Sequence, residues 1–263
     1  MRSFQRLVAA LAAATLCVLA APSRASLGTN FSDQWWNPGE SGWGASVLQQ
    51  YDTLFIDIFV YGPNGSPTWY TAAAYLQPQS GRTLFSGDLY ATSGPWFGAF
   101  FNPNDVGTDK VGTLQFDASG TDFATLTYTV NNVRVVKSIE RQLWTYEDFS
   151  GSYYGGLVSD QFNCANAGDN GHFEDLGPFQ ISHPANNTFT LTLQGNSGNC
   201  TTVGNYSQRG HMGTVVANYT CTFGVTGTMT LFELERTASG MTGRFVAENN
   251  ACSVTGKLGG VER

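Results

Sequence analysis

The sequence predicts an all-β chain built as two small antiparallel barrels or barrel-like sandwiches, the second of them disulfide-bonded. Three observations carry that expectation. Short runs rich in Thr, Tyr, Phe and Val recur between turn-forming residues, with no long helical periodicity. Charged residues make up only 13% of the 263, about half the usual share, while Gly reaches 31. All six tryptophans (Trp35, Trp36, Trp43, Trp69, Trp96, Trp144) precede residue 150, whereas Cys164, Cys200, Cys221 and Cys252 follow it, a segregation not expected of one shared core.

Taken in order, residues 1–25 read as an export signal: Arg2 and Arg6, an apolar run from Leu7 to Ala21, then Ser23-Arg24-Ala25 before cleavage. Pro22, Ser23 and Arg24 stop the run short of the roughly 20 residues a membrane anchor needs. Leu16 before Cys17 does not suit a lipoprotein signal. No later stretch is long and apolar enough to span a bilayer, so the mature chain is expected to be soluble and not membrane-spanning. Cleavage removes three arginines (Arg2, Arg6, Arg24) and no acid, taking the formal charge from −7 to −10. That balance excludes nucleic acid as a partner, because phosphate contacts need clustered Lys and Arg.

The first β-domain, 26–146, divides into eight expected strands at about 43–50, 53–61, 68–76, 82–91, 96–101, 110–117, 122–130 and 133–143. Its clearest turns are Gly62-Pro63-Asn64-Gly65-Ser66 and Asn131-Asn132. The second, 147–263, gives eight more at about 152–159, 173–182, 188–193, 200–209, 212–223, 227–235, 241–248 and 251–258. The boundary near 145–150 is too short for a flexible linker, so the halves are expected to touch. Thr127 to Val136 resembles Phe245 to Val254, each in a terminal hairpin, as a faint duplication or by chance.

Once Cys17 leaves with the signal, four cysteines remain, which favours disulfides in an oxidising compartment over zinc or thiolate chemistry. If Gly210-His211 is a two-residue hairpin loop, positions summing to 421 face each other and Cys200 meets Cys221. Tyr206, Val215, Ala217 and Tyr219 then share the cysteine face, and a one-residue slip would destroy the alternation. By elimination Cys164 pairs with Cys252.

The densest feature is Trp35-Trp36-Asn37-Pro38-Gly39-Glu40-Ser41-Gly42-Trp43-Gly44, whose indoles, carboxylate and glycines are more than routine packing requires. Period-2 geometry puts Asp57 on one face with Phe55, Phe59 and Tyr61; Trp69, Tyr70 and Trp96 follow. If these converge at a barrel mouth or in its lumen, Trp35, Trp36, Glu40, Trp43, Asp57, Trp69, Tyr70 and Trp96 form a candidate ligand site. Structural closure of the barrel end is the competing reading, and an exposed tryptophan face discriminates between them. A carboxylate pair, Glu40 and Asp57, is the candidate for glycoside hydrolysis. Gly39-Glu40-Ser41-Gly42 fails the nucleophile-elbow pattern at Trp43, and no histidine lies in the first half. His172 with Asp169, Glu174 and Asp175 reads as a solvated loop rather than a metal site, and nothing requires a cofactor.

The tryptophan motif, with Thr53-Leu54-Phe55, Gly65-Ser66-Pro67-Thr68-Trp69-Tyr70 and the tail Gly259-Gly260-Val261-Glu262-Arg263, resembles exported proteins of Gram-negative bacteria. The resemblance covers most of the mature chain. It carries over no activity and no catalytic residues; it implies a bacterial, periplasmic or extracellular setting. The sequence thus leads to an exported, noncatalytic β-protein that binds a carbohydrate or small apolar ligand through the first-domain aromatics. A carbohydrate-active hydrolase and a structural or interaction protein of the cell envelope are the alternatives.

Overall fold

In the computed structural model, which describes residues 28–78, 82–183, 187–195 and 198–263, sixteen strands close into two eight-stranded antiparallel barrels. The leader reading and Cys17 lie outside the described residues. Both barrels belong to one compact unit, Phe31–Arg263.

The first barrel takes its strands in sequence order: β1 (Asp33–Trp36), β2 (Gly44–Gln50), β3 (Thr53–Tyr61), β4 (Pro67–Leu76), β5 (Thr83–Ser93), β6 (Gly107–Ala118), β7 (Phe123–Val130) and β8 (Val133–Arg141). The second follows with β9 (Gly151–Phe162), β10 (Gly171–Ser182), β11 (Thr188–Gly195), β12 (Gly198–Arg209), β13 (Met212–Cys221), β14 (Thr226–Thr237), β15 (Gly240–Asn249) and β16 (Ser253–Glu262). Up-and-down order follows from the short turns. At Asn131 and Asn132 both φ angles are positive (47° and 69°), the conformation a two-residue hairpin loop demands.

Two strand expectations for the first half need correction. Segment 96–101 is not a strand, because Pro95 and Gly98 interrupt it; it lies in the loop joining β5 to β6. The eighth strand is β1, which pairs with β2 through Trp35↔Ala45 and closes on β8 through Trp35↔Arg141 and Trp36↔Glu140.

The interior of each barrel is a packed apolar core. Leu54, Ile56, Ile58, Phe85, Phe116 and Leu126 fill the first. Phe149, Tyr153, Phe179, Phe189, Tyr206 and Val215 are among those filling the second. The Gly210-His211 loop sets the β12–β13 register with partners summing to 421, from Arg209↔Met212 to Cys200↔Cys221. Gly210 has φ +57° and His211 does not share the positive φ, as a turn with glycine first requires. Cys200 is bonded to Cys221 with Cα atoms 4.0 Å apart, and Cys164 to Cys252 across the end of the second barrel at 4.1 Å. Two disulfides fit an oxidising, non-cytoplasmic environment. Among the described residues no helix is long and apolar enough to cross a membrane.

The hairpins carrying the 127–136 and 245–254 likeness are the last of their barrels. Their turns differ: two residues at Asn131-Asn132, against a loop from Asn249 to Cys252 closed by the Asn249 N–H donating to the Cys252 carbonyl at 3.1 Å.

Candidate functional site

The tryptophan motif divides its side chains between the inside and outside of the first barrel. Trp35 is fully buried: its Nε1–H donates to the Phe31 carbonyl at 3.0 Å, its ring meets Phe116 edge-on at 5.0 Å, and the Arg141 guanidinium lies 4.9 Å from its centre. It leaves no open face for a ligand. Trp36, next along the strand, points outward. The chain then turns tightly. Asn37 Oδ1 accepts from the Gly39 N–H (2.8 Å), Asn37 Nδ2 donates to the Ser138 carbonyl (3.1 Å), and the Glu40 N–H donates to the Asn37 carbonyl (3.0 Å). Glu40 Oε2 accepts from Trp43 Nε1 at 3.0 Å and from Lys137 Nζ at 2.6 Å. Lys137 is the register partner of the buried Leu126, so it reaches the loop from the inner side of β8. Its hydrogen bond, aided by that of Trp43, holds the Glu40 carboxyl below the ordinary value. A general acid for glycoside cleavage needs the opposite shift.

Tyr70 shares a register pair with buried Ile58 and so faces inward. Near it the Tyr128 hydroxyl has a raised pKa, first through burial and then through Tyr70 and Glu40. Glu40, Trp43, Tyr70 and Tyr128 therefore gather at one mouth of the barrel.

Asp57 and Trp69 lie elsewhere. Leu54, Ile56 and Ile58 occupy the interior face of β3, which turns Phe55, Asp57, Phe59 and Tyr61 outward. The expectation that these rings converge in the mouth or lumen is corrected on this point: they form a strip on the outer wall. Phe59 pairs with Trp69 on β4, and their exposures are 42% and 59%. Exposed Tyr61 extends the strip beside Pro67, and Asp57 sits one step along it between Ser46 and Thr71. Gly44 makes the strip possible, since a Cβ there would come within 2.8 Å of the Phe59 ring and 2.9 Å of the Trp35 carbonyl oxygen. The motif's last glycine thus seats a ring of the outer face. Asp57 and Glu40 consequently serve different surfaces and do not make an acid–base pair. Trp96 lies on the β5–β6 loop, its ring 5.5 Å from that of Phe97.

Sequence reasoning missed the junction between the barrels. Asp33 Oδ2 accepts from Arg141 Nη1 at 3.2 Å and from the His211 backbone N–H at 3.2 Å, and His211 Nδ1 lies 2.8 Å from the same oxygen. Burial pushes the Asp33 carboxyl upward, but the His211 and Gln34 hydrogen bonds outweigh it and the pKa is lowered. Arg141, fully buried, has its pKa lowered by burial despite Asp33, and Asp122 nearby is raised by burial. A Cβ on Gly210 would strike the Asp33 carboxylate, so the turn glycine is also the docking point of the two barrels. Gln208 Nε2 donates to the Thr145 and Gly210 carbonyls (3.0 and 2.8 Å), fixing the connecting segment. Beside this network opens a cleft of about 340 Å³ lined by Trp36, Glu140, Tyr146, Asn187 and Arg209 among others. Arg209 and Glu140 approach to 3.6 Å there. No local pattern signals Asp33 and Arg141, which are 108 residues apart.

Among the described residues no group of three or more His, Cys, Asp or Glu is arranged to hold a metal. His172 instead meets Asp160 (2.8 Å) and Glu174 (3.5 Å), which raise its pKa. No family model matches the chain, and no curated protein or solved structure matches it significantly.

Proposed function

We propose that this is an exported, noncatalytic binding protein whose first barrel takes a carbohydrate on its outer wall. The observation that carries the reading is the Phe59–Trp69 pair, two adjacent rings lying open on a β-surface with Tyr61 and Asp57 alongside. Ring faces supply apolar contact for the C–H face of a pyranose, and a carboxylate beside them accepts hydroxyl hydrogen bonds. A convex wall suits an extended chain of sugars better than an enclosed monosaccharide. The periplasmic or extracellular setting implied by the export signal would bring such polymers within reach.

The junction cleft supports a second location for the same ligand class, because Trp36 and Tyr146 stand there with Glu140, Asn187 and Arg209. Retention on a panel of insoluble polysaccharides, followed by fluorescence titration with oligosaccharides of the retained polymer, separates the two. Outer-wall binding predicts that Trp69→Ala abolishes retention with an unchanged melting temperature, while Trp36→Ala retains it. The reverse pattern assigns the cleft, and retention on no polysaccharide overturns the proposal.

A further inference from the structure

The longest loop of the first barrel presents a different chemistry. Strands β5 and β6 run on together beyond their ladders with other strands: the β4–β5 register ends at Thr71↔Tyr90, after which β4 pairs with β3 alone as far as Pro67, and the β6–β7 register ends at Gly112↔Val130. Beyond these points Ala91↔Asp109, Thr92↔Thr108 and Ser93↔Gly107 pair only with each other among the described residues. Three residues per strand at about 3.3 Å each make an arm of roughly 10 Å. At its tip the Ala99 N–H donates to the Trp96 carbonyl at 2.9 Å, turning the chain. At its base Asn102 accepts from the Asn104 N–H at 3.2 Å and caps a 3-10 turn, Pro103–Asp105. The loop is held by its own hydrogen bonds, yet Phe97 and Phe100 are 96% and 92% exposed and Trp96 and Phe101 are largely so. No ionisable side chain occurs from Gly94 to Asn104.

We infer that this arm is a membrane-surface anchor: Phe97, Phe100 and Phe101 enter the acyl boundary of a zwitterionic bilayer, and Trp96 rests at the headgroup level. Trp96 and Phe97 touch each other, with ring centres 5.5 Å apart, while Phe97 and Phe100 keep more than nine-tenths of their surface open to solvent. A protein partner would need a matching cavity for each ring, whereas a fluid bilayer accommodates them without one. The uncharged tip and acidic chain exclude attraction to anionic headgroups, so the binding energy is apolar burial, with indole favoured at the interface. The lone Trp96 of the candidate ligand site acquires a role here, separate from the outer-wall site.

Flotation of the exported chain with vesicles of phosphatidylcholine alone tests this. Expected are co-flotation unaffected by high salt, quenching of tryptophan emission by brominated acyl chains that is lost in Trp96→Phe, and at least about a tenfold fall in the bound fraction for Phe97→Ser/Phe100→Ser. Leu48→Ser, an exposed apolar side chain on the barrel wall, should leave flotation unchanged, and the melting temperatures of all variants should match. The inference is overturned by absence of flotation, by flotation the double variant retains, or by a dimer that the double variant dissolves without any vesicle binding.

Discussion

The two barrels begin alike and close differently. Phe31-Ser32-Asp33-Gln34-Trp35-Trp36 opens the first and Phe149-Ser150-Gly151-Ser152-Tyr153-Tyr154 the second. In each the inward aromatic donates to the carbonyl four residues earlier, Trp35 Nε1 to Phe31 at 3.0 Å and Tyr153 Oη to Phe149 at 2.8 Å. From there they diverge. The second barrel closes on a β9–β16 ladder running from Ser253↔Phe162 to Glu262↔Tyr153, with Cys164–Cys252 bonded at its end. The first has two ladder pairs on its β1–β8 seam and fills the gap with a buried indole, a buried guanidinium and Asp33. The ion pairs of the second barrel, such as Arg236–Glu262, are partly exposed, whereas the seam of the first closes on a buried one, so acid should act more strongly on the first. The short seam also leaves Trp36 free of the ladder beyond Trp36↔Glu140, where it lines the junction cleft.

This contrast can be broken in order of effect. Trp35→Ala should cost about 3–5 kcal/mol, as for large aromatic truncations in a core, and should melt the first barrel before the second in calorimetry. A single unshifted transition would mean that the seam does not depend on the indole. Asp33→Asn removes one of the two carboxylates facing the buried Arg141, Asp122 remaining 3.7 Å from its Nε, and should cost about 1–3 kcal/mol in denaturant unfolding, with the loss confined to the first barrel and the junction. Replacing both Cys164 and Cys252 by Ala should cost about 2–4 kcal/mol and act on the second barrel. Equal loss in both barrels would show that they unfold as one.

Acid titration sharpens the same point. Asp33 has a lowered folded pKa, so its contribution is present above the unfolded value near 3.9 and disappears as pH falls through the folded one. His172 is shifted the other way: its ion pairs with Asp160 and Glu174 help below about pH 6.5 and are lost as pH rises through its folded pKa. Below pH 4 the first barrel should therefore loosen ahead of the second, and Asp33→Asn should flatten the dependence. The smallest effect belongs to Lys137→Met, which frees exposed Glu40: the melting temperature should barely move while Trp43 emission changes.

Much of the fold was legible because its signals are local. Gly210-His211 determines a register that carries Cys200 to Cys221, and the alternation of Thr53 to Tyr61 places Asp57 with three rings. What local pattern leaves open is which side of a strand faces the core; the three fully buried aliphatics at 54, 56 and 58 decide that, and they turn the rings outward. Segment 96–101 misleads because Trp and Phe favour strands, although Pro95 and Gly98 already argued for a loop. The Asp33–Arg141–His211 cluster was invisible, since its members come from β1, β8 and the β12–β13 turn and meet only after both barrels have closed.

The most direct test of the central claim, that the first barrel's outer wall is the binding surface, is chemical-shift mapping of the labelled protein during titration with an oligosaccharide. The account predicts perturbations centred on Phe55, Asp57, Phe59, Tyr61 and Trp69, with the second barrel silent. Perturbations centred on Trp36, Asn187 and Arg209 instead, or shifts absent throughout, would contradict it.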